Sequence, residues 1–102
     1  MDRIAILTEV LAQNPNDTFA RYGLAMEYSN SGKTEEALQE FAKLLAASPD
    51  YTAGYFMAAQ TLTRVDRIEE ARKMLQNGIA AAERTGNSHA LSEMQGMLSE
   101  LS

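Results

Sequence analysis

The stretch NPNDTFARYGLAMEYSNSGKTEEALQEFAKLLAASPD, from Asn14 to Asp50, holds the only two prolines of the chain, Pro15 and Pro49, which stand 34 residues apart. Such a spacing invites a test for a fixed period, made by sliding the chain along itself. A shift of 34 places Leu7 on Phe41, Val10 on Leu44, Leu11 on Leu45, Ala12 on Ala46 and Asn14-Pro15-Asn16 on Ser48-Pro49-Asp50. Further along, Ala25 meets Ala59, Glu35-Glu36-Ala37 meets Glu69-Glu70-Ala71, Phe41 meets Leu75 and Ala46-Ala47 meets Ala80-Ala81.

Inside each period the apolar residues recur at three and four, as in Leu24 and Tyr28 or in Leu38, Phe41, Leu44 and Leu45, which is the spacing of one helix face. β-Branched residues are scattered and no stretch alternates, so strands are not expected. The pattern predicts six helices at about 2–13, 18–30, 34–47, 51–64, 67–84 and 88–101. Turn chemistry separates them at Asn14–Asp17, Asn30–Lys33, Ser48–Asp50 and Thr85–Ser88. Asp17, Asp50 and Ser88 are placed to cap the next helix, and Asp66 with Glu69 has the spacing of a capping box. Connections this short force consecutive helices to pack antiparallel.

A length of 102 residues, 45% hydrophobic and 23% charged, fits one compact soluble domain. The absence of cysteine removes disulfides, thiolate metal sites and thiol nucleophiles together. With 9 Lys and Arg against 14 Asp and Glu, the net charge of -5 repels a phosphate backbone, so nucleic acid is not an expected partner. The longest apolar run, Ala53 to Ala59, is far short of the roughly 20 residues of a membrane span. No signal peptide is legible either, and a cytoplasmic location is expected.

A 34-residue period of paired helices resembles the tetratricopeptide repeat (TPR). The first repeat supplies Leu24, Ala25, Tyr28, Ala37, Phe41 and Pro49 to the family pattern, and the second Tyr55, Ala58, Ala59, Leu62, Ala71 and Leu75. The resemblance implies an all-α, right-handed solenoid of antiparallel helical hairpins. Residues 1–17 would be a half repeat, 18–51 and 52–85 two full repeats, and 86–102 a capping helix. Small residues at Ala25, Ala37, Ala59 and Ala71 fit the closest approach within a hairpin. Three positions depart from the pattern. Arg21 stands in place of the first aromatic, as expected where no upstream helix covers it. Glu83 replaces the closing proline, which with Gly86-Asn87 implies a longer helix, and Gly78 costs helix propensity of about 1 kcal/mol.

No catalytic constellation emerges. His89, the only histidine, has Ser88 and Ser92 beside it, but a catalytic serine needs a positioned base with its own orienting acid and no nucleophile elbow is present, so His89, in the first turn of a terminal helix, reads as a solvated residue. Glu35-Glu36 and Glu69-Glu70 occupy first turns of helices, where they oppose the helix dipole, and adjacent residues do not converge on one metal. None of the glycines has phosphate-loop spacing. The sequon Asn16-Asp17-Thr18 reads as a helix cap. Neither a cofactor nor a metal is expected, and the chain is not expected to be an enzyme.

What the resemblance implies about function is protein or peptide binding on the concave face, lined by the first helix of each hairpin. Carried over position by position, that face is Phe19, Tyr22, Met26, Ser29 and Asn30 in the first repeat and Ala53, Phe56, Gln60, Thr63 and Arg64 in the second. It is rich in aromatics and methionine, with amides and one cation. The lysine, asparagine and arginine set that grips chaperone-tail carboxylates in some TPR domains is not matched: Tyr22, Met26 and Met57 stand at its early places and Glu93 near the late basic one. A second reading is a homodimer, in which another copy covers Ile4, Ile6, Leu7, Val10 and Leu11 of the first helix.

Overall fold

The computed structural model describes residues 2–101; Met1 and Ser102, the two ends of the expected span, lie outside the described residues. Six α-helices follow one another: α1 Arg3–Gln13, α2 Thr18–Asn30, α3 Thr34–Ala47, α4 Thr52–Arg64, α5 Ile68–Thr85 and α6 Ser88–Glu100. Each boundary lies within one residue of the sequence expectation, and no strand occurs among the described residues. The helices form two compact units, residues 1–48 with α1 to α3 and residues 49–102 with α4 to α6.

In the first unit α2 packs against both α1 and α3. Leu11, Ala20 and Leu24 form a buried cluster on which Ile4, Leu7 and Tyr28 rest. Ala25, Ala37 and Phe41 are fully buried, as the small-residue hairpin seam requires. Arg21 is not left bare. Its guanidinium donates to Glu40 Oε1 on α3 at 2.6 Å and to the Pro15 carbonyl at 3.1 Å, and the Arg21 and Glu40 side chains are only 18% and 12% exposed. The aromatic of the family pattern is thus replaced by an ion pair that ties the α1–α2 loop to α3.

In the second unit α4 and α6 both pack on α5. Ala58, Ala59, Ala71, Leu75, Ala81 and Met94 are fully or almost fully buried. Tyr55, one period after Arg21, donates its hydroxyl to the Pro49 carbonyl at 2.7 Å. Arg21 and Tyr55 therefore hold equivalent proline carbonyls with different chemistry. Gly78 earns its place through contact rather than conformation: a Cβ there would lie 2.5 Å from Met94 Sδ and 2.6 Å from Tyr55 Cβ. α5 is four residues longer than α3, as the missing proline implied.

Helix ends follow the expected turn chemistry in part. Asp17 Oδ1 accepts from Ala20 N at 3.0 Å and caps α2. Asp50 does not cap α4; it pairs instead with Arg84 at 2.6 Å, and Tyr51 takes the N-cap position without a side-chain bond. The cap of α6 is Asn87, which accepts from Ala90 N, and Ser88 is the first helical residue. The expected Asp66 capping box is absent because Asp66 lies in the left-handed region at φ 63, closing α4 rather than opening α5. Lys33 N to Tyr28 O and Gly32 N to Ser29 O close α2; Arg67 N to Leu62 O and Asp66 N to Thr63 O close α4 in the same manner. This is the two-bond closure whose left-handed residue is usually glycine.

Candidate functional site

The residues left facing outward on α2 follow from what its neighbours cover. α1 takes the side bearing Ala20, Gly23 and Glu27: a Cβ on Gly23 would sit 3.4 Å from Leu7, and Arg3 pairs with Glu27 at 2.6 Å. α3 takes the side of Arg21 through Glu40. The remaining stripe is Phe19, Tyr22, Met26 and Asn30, whose spacing of three, four and four keeps one helix face. Phe19 is 79% exposed, Tyr22 and Met26 are half-buried and Asn30 is exposed. Ser29 departs from the expectation, being buried.

On α4 the buried set is Gly54, Tyr55, Ala58, Ala59, Thr61 and Leu62. The opposite side carries Ala53 and Arg64, which are exposed, with Phe56, Gln60 and Thr63 half-buried. The Thr63 hydroxyl is turned to its own helix, donating to the Ala59 carbonyl at 2.8 Å, so it is spoken for within α4. Chemically both stripes offer ring surface for apolar side chains and an amide suited to peptide hydrogen bonds, and α2 adds the thioether of Met26.

The other candidates stay where the sequence reading put them. The His89 side chain is 86% exposed, with Nε2 3.4 Å from Glu93 Oε1 one turn on. Both glutamate doublets lie in first turns and are exposed. Glu70 accepts two bonds from Arg67, at 2.5 and 2.8 Å, and this pairing holds its carboxyl below the ordinary value. No described group of three His, Asp or Glu residues is arranged to hold a metal ion. No described helix is long and apolar enough to cross a membrane.

Two tetratricopeptide-repeat family models match the chain, over residues 2–56 and 30–94. The chain belongs to the tetratricopeptide-repeat family. The six helices and this membership place it in the all-α helical-repeat solenoid class. Over 95 residues it is 26% identical to a TPR repeat-containing protein of Pseudomonas aeruginosa, covering 93% of this chain and 90% of that one. It superimposes on the solution structure of a TPR domain protein from Salinibacter ruber with a TM-score of 0.80 and 32% identity, over 86% of this chain and 89% of that one. YrrB, a TPR protein with an unusual peptide-binding site, gives a TM-score of 0.77 at 27% identity, over 90% of this chain and 46% of its own. The Arg21 role was missed in the sequence, although the same 34-residue shift that pairs Pro15 with Pro49 pairs Arg21 with Tyr55.

Proposed function

We propose that this TPR domain is a non-catalytic module that binds a peptide segment or helix of a partner protein on the outward faces of its first-of-hairpin helices, Phe19, Tyr22, Met26 and Asn30 on α2 and Phe56, Gln60 and Arg64 on α4. The observation that carries this reading is the α2 stripe. A phenylalanine 79% exposed beside two half-buried apolar side chains is a surface that a folded domain gains nothing by presenting to water. That YrrB has a peptide-binding site, an unusual one, supports the coarser part of this reading, a peptide-binding role, and not the choice of face.

The test uses a displayed peptide library selected against the whole chain, followed by titration of the selected peptide. Replacing Tyr22 and Phe56 together by Ala should weaken binding by at least about 2 kcal/mol, the mark of an interface hot spot. Each single variant should unfold with a loss well under the 3–5 kcal/mol of a core aromatic. A peptide whose affinity survives the double substitution would move the site to another face, and core-sized losses at both positions would make the rings structural.

A further inference from the structure

Cysteine and tryptophan are absent from the chain, which leaves the thioethers of its six methionines as the side chains most open to oxidation. The fold sorts the five described methionines by surroundings. Met94 is 1% exposed, and its sulfur lies where a Cβ on Gly78 would need to be. Met74 on α5 and Met97 on α6 are half-buried, as is Met57 on α4, and none of the three belongs to an outward stripe described above. Met26 does. It stands four residues after Tyr22 and four before Asn30, on the side of α2 that neither α1 nor α3 covers.

We infer that Met26 is a redox-controlled contact of the α2 face: peroxide converts it to the sulfoxide, and the face then releases its peptide. The inference rests on the binding reading above. In the step, the thioether sulfur gives a lone pair to one oxygen of hydrogen peroxide and the O–O bond breaks. The departing hydroxide takes the proton of the transferred oxygen and leaves as water. Sulfur is oxidised by two electrons and the peroxide is reduced. A flexible apolar side chain thereby becomes a polar one with a strong acceptor oxygen. In the free protein that oxygen can reach water, because Met26 is only half-buried, so the fold tolerates it. Under an apolar side chain of a bound peptide it would lose water without gaining a donor, which costs binding. This difference between the free and the covered state is what lets oxidation shift the equilibrium toward release. Met94 offers no such difference, since an oxygen there would enter close packing against Tyr55 and harm the fold in every state.

The whole chain is treated with dilute hydrogen peroxide, sulfoxides are located by peptide mass mapping, and the library-selected peptide is titrated before and after. Met26 should be oxidised well ahead of Met94, with the circular-dichroism melt little changed while Met94 is intact. Affinity should fall about tenfold or more. It should return after treatment with methionine sulfoxide reductases of both stereospecificities. Met26→Leu conserves volume and apolar character, so it should bind as the parent does and keep its affinity through the same peroxide treatment. Should leucine itself weaken binding, norleucine at position 26 serves in its place. Full affinity with Met26 oxidised, equal peroxide sensitivity in Met26→Leu, or Met94 oxidised as fast as Met26 would each overturn the inference. Binding that is lost on replacing Tyr22 and Phe56 by Ala yet survives Met26 oxidation overturns the switch alone. Binding indifferent to that double substitution overturns the face, and the switch with it.

Discussion

The two repeats solve the same packing problem with different residues, and the differences are instructive because the backbone frame repeats. Leu44 of the first repeat is almost fully buried, and its counterpart Gly78 has no side chain at all. The reason lies in the second unit alone. There α6 supplies Met94, whose sulfur and the Tyr55 Cβ occupy the space a Cβ on Gly78 would need. The volume has been moved from α5 to α6 rather than lost, as close packing demands.

Exchanging these two positions gives the largest effects. Leu44→Gly removes a buried leucine, worth about 2–5 kcal/mol on the scale of truncation to alanine, with a further ~1 kcal/mol for glycine in a helix. Gly78→Ala gains that ~1 kcal/mol of propensity but overpacks the Met94 and Tyr55 contact, at about 1–3 kcal/mol. Met94 can swing aside, whereas Tyr55 Cβ is fixed to α4, so a net loss is expected. Urea unfolding of both variants checks the comparison. A stabilised Gly78→Ala protein would mean that the glycine is a simple propensity defect, as the sequence alone suggests.

The second contrast concerns how each repeat holds the carbonyl of its preceding proline. Arg21 does so with a charge, shared with Glu40; Tyr55 does so with a neutral hydroxyl. Arg21→Met should cost about 1.5–3 kcal/mol, since it also leaves the mostly buried Glu40 without its closest partner. Tyr55→Phe should cost about 1 kcal/mol, the more so as Arg84 also donates to the Pro49 carbonyl. The two should differ in salt: raising ionic strength should shrink the Arg21→Met effect and leave Tyr55→Phe unaltered. Equal salt dependence would break the analogy.

These residues mark where the sequence was legible and where it was not. Period, helix number and hairpin seams could be read because they depend on spacing along one helix and on residue size at Ala25, Ala37, Ala59 and Ala71. Most outward positions on α2 and α4 could be assigned for the same reason. What could not be read depends on neighbours far along the chain. Gly78 needs Met94 to be understood, Arg21 needs Glu40, and Asp50 caps nothing because Arg84 reaches it from α5. Ser29 was assigned outward by position, yet is buried.

A smaller effect is expected at the turn that closes each first helix. Gly32 at φ 76 and Asp66 at φ 63 occupy the same left-handed position. Gly32→Ala should therefore destabilise by about 1–2 kcal/mol, the cost of a Cβ in that region. Asp66→Gly relieves a similar strain but loosens the unfolded chain by ~0.4–1 kcal/mol, so its net gain should be slight. Thermal melts in which Gly32→Ala matched the parent would show that this closure does not control either hairpin.

The smallest expected effect separates the first turns of α3 and α5. Lys33 and Glu36 carry the same charges, one period earlier, as Arg67 and Glu70. Only an arginine presents two parallel donors to a carboxylate, and Arg67 uses Nε and Nη2 on the two oxygens of Glu70. That bonding, and secondarily the nearby positive charge, outweighs desolvation and holds the Glu70 carboxyl below its ordinary 4.5. Because the folded value is the lower one, the folded protein binds this proton more weakly than the unfolded chain does. The stabilisation is then complete above the unfolded-state value and is lost as pH falls through the folded one. Glu70 is solvent-exposed, so the loss will be too small to locate in an unfolding curve and belongs to carboxyl NMR. A titration should find Glu70 protonating below 4.5, and Arg67→Lys should return it toward that value. A Glu70 that titrates at or above 4.5 in the parent would show that the fork does not persist in solution, and with it the distinction between these two turns would disappear.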